Sequence, residues 1–287
     1  MLEKREMGNM GFRGSIICLG GCGIGKVGQD EADKAIAKAL DYGVNVVDVA
    51  PTYGEAETRL SSWVQKHRDE LFIQEKTRER SRDGVLGELH GSLKRLGIEK
   101  FDLYQMHALG PSDLDTVFNE GGAIEAFEEA RETGLTDYIG ITGHEDMRVL
   151  LEALRRYDFD SVLLPVSLCS AVSFHPQNDY RPVLEEAEDC GVSVTAIKAI
   201  SQGRWDEGED RIYRTWYRPS DTYNEVERGV RFTLSQTAVC TYPLPCDHRL
   251  WDTVLRAGDK FTPMIEEEQE EAKDYATRKG FSPLFPE

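Results

Sequence analysis

Four side chains in the first half of the chain, Asp48, Tyr53, Lys76 and His107, have the types and placement of a proton-donating device. Each lies at or just beyond an apolar, β-branched run. Asp48 closes VNVVD, Tyr53 follows in the next loop, Lys76 closes LFIQEK and His107 closes FDLYQMH. A carboxylate or an ammonium buried alone is costly, whereas the two facing each other form an ion pair. A tyrosine beside that lysine has its phenolate favoured, so the phenol is expected to titrate below its ordinary range. A histidine close by can hydrogen-bond a carbonyl and orient it. Together the four predict a device that protonates a carbonyl oxygen. Taken singly, strand-end Asp and Lys are common structural pairs and a lone His is commonly a packing residue. Four such residues at successive strand ends are a far stronger signal than any one of them.

The elements that must bring them together form a repeating grammar. Short apolar runs start at Ser15 (SIICLG), Val44 (VNVVDV), Leu71 (LFIQEK), Phe101 (FDLYQMH), Asp137 (DYIGIT), Asp160 (DSVLLPV), Val192 (VSVTAIK) and Thr237 (TAVCTYPL). Near-continuous Val, Ile and Leu without alternation predicts strands covered on both faces, as in a parallel sheet. Between them lie amphipathic stretches such as QDEADKAIAKALDYG and GAIEAFEEARETG, which close on Gly43 and Gly134. Acidic residues in the first turn and glycine after the last are helix start and stop signals. Strand and helix alternating at this spacing predict a single-domain (β/α)8 TIM barrel over residues 14–261, with catalytic groups where strands give way to loops. Two segments fall outside the repeat. A long loop from Ser201 to Asp221 follows the seventh strand, and a tail over 262–287 holds an acidic helix and an apolar end that either docks or frays.

Composition narrows the partners. The chain has 287 residues and a formal net charge of −18, a sign that repels nucleic-acid phosphates and anionic membranes. No apolar run reaches membrane-spanning length, and the charged opening MLEKREMGNM lacks a signal-peptide core, so a cytoplasmic protein is expected. The excess of acidic residues, with Arg outnumbering Lys, would suit a high-salt cytoplasm. The six cysteines, Cys18, Cys22, Cys169, Cys190, Cys240 and Cys246, form no CxxC and read as buried thiols. His144 and His175, with Asp179 or Cys169, lack ligand-like spacing, so no metal is expected.

The segment GVNVVDVAPTYGEAETRL resembles the GxxxxDTAxxYGxxE signature of the aldo-keto reductases, with Gly43, Asp48, Ala50, Tyr53, Gly54 and Glu57 on matched positions. ELFIQEKT, IEKFDLYQMHAL and GGAIEAFEEARETGLTDYIGIT continue the likeness in the same order. The resemblance implies reversible, metal-free reduction of a small-molecule aldehyde or ketone to an alcohol by a nicotinamide dinucleotide. Tyr53 would be the general acid, Lys76 would tune it, Asp48 would pair with Lys76 and His107 would orient the carbonyl. The cofactor would lie across the barrel mouth, so GGCGIG at Gly20–Gly25 reads as a close-approach loop, with Gly21 a contact, not as a Rossmann fingerprint.

The chain departs from the family pattern on the cofactor side. The usual Ser-Asn pair after the fifth strand is here Thr142-Gly143, and the Gln and Asn common in the sixth are Leu163 and Ser167. Lys198 stands where a phosphate-facing hydroxyl is usual and is expected to pair with the pyrophosphate. After the eighth strand Arg249 is the obvious cation, and Asp247 beside it would repel a 2′-phosphate. NADP(H) is the cofactor implied by the family, with NAD(H) possible. Asp48, Thr142, Gly143, Ser167, Lys198 and Arg249 join Gly21 as expected cofactor contacts. The thinned nicotinamide contacts also admit a catalytically weak barrel acting as a cofactor-sensing regulatory or binding subunit, and a non-redox lyase or isomerase is a third reading.

Overall fold

The computed structural model describes residues 1–286. Eight strands close into a parallel barrel. They are β1 (Ile17–Gly20), β2 (Val46–Asp48), β3 (Phe72–Thr77), β4 (Phe101–Met106), β5 (Thr136–Thr142), β6 (Ser161–Pro165), β7 (Ser193–Ile197) and β8 (Val239–Pro243). Each matches one apolar run, and β8 pairs with β1 to complete the ring (Tyr242 with Ile17). The (β/α)8 class is therefore as the sequence predicts, because strands buried on both faces need helices outside and side chains within.

Helices Gln29–Asp41 and Ala123–Glu132 form where the amphipathic stretches predict them. Each ends two residues before a glycine of positive φ, Gly43 at 87° and Gly134 at 76°. A side chain there would strain the left-handed backbone that turns the chain into the next strand. The first helix buries Ala32, Ile36 and Ala39 against the barrel. Burying an aliphatic side chain the size of Ile36 contributes about 1.5–3 kcal/mol.

A short hairpin, Lys4–Glu6 with Arg13–Ser15, covers the N-terminal end of the barrel. Its Met7, Met10 and Phe12 pack on Cys18, Val46, Phe72, Leu103 and Cys240. That end is a sealed apolar plug, which leaves the C-terminal ends of the strands as the open face. The long loop after β7 carries a two-stranded ladder, Ser201–Gly203 with Arg218–Pro219. The tail forms helix Glu266–Arg278 and then docks: Leu284 is buried, and its carbonyl accepts from Arg204 Nε at 3.1 Å. Among the described residues no helix is long and apolar enough to cross a membrane.

Candidate active site

Strand register sets the site. Asp48 pairs with Gln74 and Lys76 with Gln105, so the carboxylate, the ammonium and the start of the His107 loop emerge at the same end of adjacent strands. Lys76 Nζ donates to Asp48 Oδ1 at 2.5 Å and to the Val49 carbonyl at 3.2 Å, and both side chains are buried. Burial opposes the Lys76 charge, but Asp48 and Tyr53 more than offset it and hold the ammonium above its ordinary range. Burial likewise pushes the Asp48 carboxyl up, with Lys76 pulling against it.

Tyr53 is delivered by the loop after β2, whose turn is closed by Tyr53 N donating to the Ala50 carbonyl at 3.0 Å. Gly25, from the loop after β1, presses on this turn: a Cβ built there would fall 1.6 Å from the Tyr53 carbonyl oxygen. Only glycine permits that approach, so the glycine-rich run acts as a close-packing loop. Lys76 Nζ lies 5.2 Å from the Tyr53 ring centroid. Here the sequence expectation needs correction. The Tyr53 phenol is pushed up to about 12, because desolvation outweighs the attraction of Lys76 and Asp48 adds to the rise. The phenol keeps its proton throughout the neutral range.

His107 follows β4, with its N–H donating to the Thr77 carbonyl at 2.7 Å, and its ring meets Tyr53 edge-on at 5.8 Å between centroids. Burial, then Lys76, Arg78 and Arg80, bring its pKa down to about 3. The imidazole is neutral at working pH, and its buried Nδ1 has no partner among the described residues. Asp48, Tyr53, Lys76 and His107 all line one cavity of about 410 Å³ at the barrel mouth.

The other half of that wall differs from the sequence reading. Thr142 is buried with its hydroxyl oxygen accepting from Ala108 N at 2.7 Å. A Cβ on Gly143 would lie 2.8 Å from Leu150, so that position faces packing. Ser167 lines a small neighbouring cavity, with Lys198, His144 and the docked Leu284 and Phe285. Gly21 packs its backbone on Asp48 and Val49, while Gly20, Cys22 and Gly23 reach the main cavity. Arg249 folds back on Asp247, Nε to Oδ1 at 2.9 Å, and lies outside the lining of the main cavity. Of the expected cofactor contacts, Asp48 and Lys198 are in the wall of that cavity.

Sequence reasoning missed several wall residues. Lys26, Arg78, Arg214, Trp216 and His144 line the same cavity. Arg78, two residues beyond Lys76, was detectable by extending the strand-end rule into the loop. Arg214 and Trp216 sit in the long loop after β7, where spacing carries no signal. Asp48 is the one carboxylate among the described lining residues, against Lys26, Lys76, Arg78, Lys198 and Arg214. The cavity thus reverses locally the −18 charge of the chain.

A second correction concerns sulfur. Cys22 and Cys246, 224 residues apart, form a disulfide that joins the loops after β1 and β8 across the cavity rim. Buried thiols were expected; Cys18, Cys169 and Cys240 are such thiols, whereas Cys190 is free but exposed. The pairing arises because barrel closure makes the first and last strands neighbours.

The fold and this arrangement define a TIM-barrel protein with a polar site at the strand C-termini. The sequence profile described as the aldo/keto reductase family matches residues 16–283, and the chain belongs to that family. It is 27% identical over 216 residues to an uncharacterized oxidoreductase of Bacillus subtilis, covering 70% of this chain and 66% of that protein. It is 28% identical to an aldo-keto reductase of Bombyx mori, covering 61% of this chain and 59% of the relative. L-galactose dehydrogenase of Arabidopsis thaliana is 28% identical, with 70% and 66% covered. These matches therefore span less than two thirds of each relative's length, 59–66%. In structure the chain is similar to a Bacillus halodurans aldo-keto reductase in its holo form, with a TM-score of 0.75, 21% identity and 96% of both chains covered.

Proposed function

We propose that the protein is a nicotinamide-dinucleotide-dependent reductase of aldehydes or ketones, with Tyr53 as general acid. The observation that carries this reading is the buried Asp48–Lys76 pair beside a protonated Tyr53 and a neutral His107, all on one cavity. A proton donor must hold its proton at working pH, and the raised Tyr53 pKa satisfies that. A carbonyl oxygen in the cavity accepts from the Tyr53 phenol and from the His107 imidazole. As charge gathers on that oxygen, the Tyr53 proton moves to it. The phenolate left behind is stabilised by Lys76, whose charge is in turn fixed by Asp48. In the direction of alcohol oxidation the same proton returns to Tyr53.

The residues present fit an anionic cofactor, since four cations besides the paired Lys76 line the cavity. Lys26 and Arg214, joined by Arg214 Nη1 donating to the Lys26 carbonyl at 3.4 Å, would hold phosphate groups beside the β8–β1 rim. Gly20, Cys22 and Gly23, which reach the same cavity from the loop after β1, would frame the rest of a bound NADP(H) or NAD(H). The dinucleotide supplies the hydride acceptor or donor when bound.

The test is Tyr53→Phe, with dinucleotide binding followed by fluorescence and turnover by cofactor absorbance on a carbonyl panel. Binding is expected to persist while kcat falls about 10²–10⁴-fold. Full turnover by the variant would overturn the assignment. A cofactor-sensing barrel has one observation in its favour: the Thr142 hydroxyl is engaged by Ala108, and Gly143 and Leu163 offer no side-chain hydrogen bond. Tight dinucleotide binding by the wild type without turnover of any carbonyl would favour that reading.

A further inference from the structure

The Cys22–Cys246 disulfide is set in the wall of the main cavity. Its two residues stand in the loops after β1 and β8, with Cα atoms 4.7 Å apart, and both line that cavity. Both are half-buried, unlike the buried thiols Cys18, Cys169 and Cys240, which leaves the bond open to a small reagent. The fold does not need the bond to bring the loops together. Tyr242 and Pro243 already pair with Ile17 and Cys18, and a Cβ on Gly20 would fall 2.0 Å from the Leu244 carbonyl oxygen. With the bond cut, the backbone still holds the two thiols near one another at high effective concentration, so the bond can re-form.

What the bond does hold is the rim. Asp247, directly after Cys246, is buried and accepts from Arg214 N at 2.9 Å and from Arg249 Nε at 2.9 Å. Arg249 Nη2 donates to the Ile212 carbonyl at 2.7 Å, and Arg214 Nη1 to the Lys26 carbonyl at 3.4 Å. Lys26 lies four residues beyond Cys22. The contacts close a circuit: Cys22 to Cys246 through sulfur, Asp247 to the long loop after β7, and Arg214 back to the loop that carries Cys22. Sulfur supplies the covalent link between these loops, while the other links are hydrogen bonds, each a modest tie. The circuit positions Lys26 and Arg214, two of the cations that line the cavity. Cutting the sulfur link loosens both, and an anion that binds between them must then order them again.

We propose that Cys22–Cys246 is a redox-modification site that sets the affinity of the cavity for its anionic cofactor, the disulfide form binding tightly and the dithiol form weakly. The reactant is a dithiol. One of its thiolates attacks a sulfur of the bond, a mixed disulfide forms, the S–S bond breaks, and the released cysteine thiolate takes up a proton. The second thiol of the reagent then displaces the other cysteine, which is protonated in turn. The protein gains two electrons and two protons, and the reagent leaves as its own disulfide. The effect on affinity rests on the proposed dinucleotide site, whereas the redox site itself does not.

The test compares the wild type, before and after dithiothreitol, with Cys246→Ser, reading the NADPH and NADH Kd by fluorescence titration. Reduction is expected to raise the wild-type Kd about 3- to 10-fold, and oxidised glutathione should restore it. Cys246→Ser should show the raised Kd with or without dithiothreitol; if it does not fold, Cys22→Ala takes its place. By reciprocity, saturating dinucleotide should make the wild-type bond harder to reduce by the same factor, read from the ratio of reduced to oxidised dithiothreitol that half-reduces it. A wild-type Kd that reduction leaves unchanged or lowers, or a redox response that survives in the variant, overturns the proposal. Mass-resolved alkylation of the native protein checks the modification itself. Cys22 and Cys246 should label after dithiothreitol alone, and a bond that resists reduction in the folded protein overturns it. If neither dinucleotide binds either form, the cofactor reading fails by itself. Inorganic pyrophosphate, titrated against the tryptophan fluorescence of both forms, then decides: tighter binding by the disulfide form supports the switch, and equal or no binding overturns it.

Discussion

The β2–β4 side of the barrel mouth and the β5–β8 side are built on different principles. On the first side the central ammonium has fixed partners: Lys76 is held by Asp48 and the Val49 carbonyl. Tyr53 is pressed into place by the Gly25 backbone. On the second side Lys198 lies against an imidazole and two aromatic rings, and the rim is tied by a disulfide and a docked tail. The proposed proton transfer belongs to the first half. The second carries a lysine with no carboxylate partner among the described residues.

The largest break in this comparison is expected from Lys76→Met. It leaves the buried Asp48 carboxylate without its cation, a loss of about 3–5 kcal/mol in stability, to be read by thermal or denaturant unfolding. Turnover should fall along with it, since the phenolate of Tyr53 loses its stabilising charge. A variant as stable as the wild type would show that Asp48 is neutral in the fold. The corresponding cut on the second side is Cys22→Ser or reduction of the Cys22–Cys246 bond. Opening so long a loop in the unfolded chain should cost about 2–5 kcal/mol, visible as a lower Tm with reductant. No shift with reductant would mean that the two thiols are already free in solution.

A finer comparison uses pH. The folded pKa of His107, about 3, lies below that of an unfolded histidine, so the unfolded chain takes up the proton first as pH falls. This residue therefore costs no stability above about pH 6.5, and stability is lost progressively from there toward about 3, at up to about 1.4 kcal/mol per pH unit. His144, also lowered, adds in the same sense. His107→Gln should flatten the acid limb of a Tm–pH profile between pH 7 and 5. An unchanged limb would place the proton uptake elsewhere.

Legibility in the sequence divides along the same line. Asp48, Tyr53, Lys76 and His107 were readable because each is fixed to the end of a local apolar run, and a parallel barrel brings strand ends to one face. The eight strands and the capped helices were readable for the same local reason. The Tyr53 pKa was misjudged because a neighbouring charge can be inferred from sequence but the extent of desolvation cannot. Arg249 was expected on the ligand. The fold gives it to Asp247, two residues away, a pairing that spacing allowed but did not select.

What the sequence determined by itself is therefore periodic or local: the barrel, its helices, and the residues that meet in one half of its mouth. Tertiary structure alone decided the contacts between segments far apart in the chain. The Cys22–Cys246 bond exists because ring closure makes β1 and β8 adjacent. The setting of Lys198 exists because the loop after β5, the long loop after β7 and the tail bring His144, Trp216 and Phe285 to one point. Such meetings depend on how distant loops fold over the barrel, and no short-range pattern encodes them.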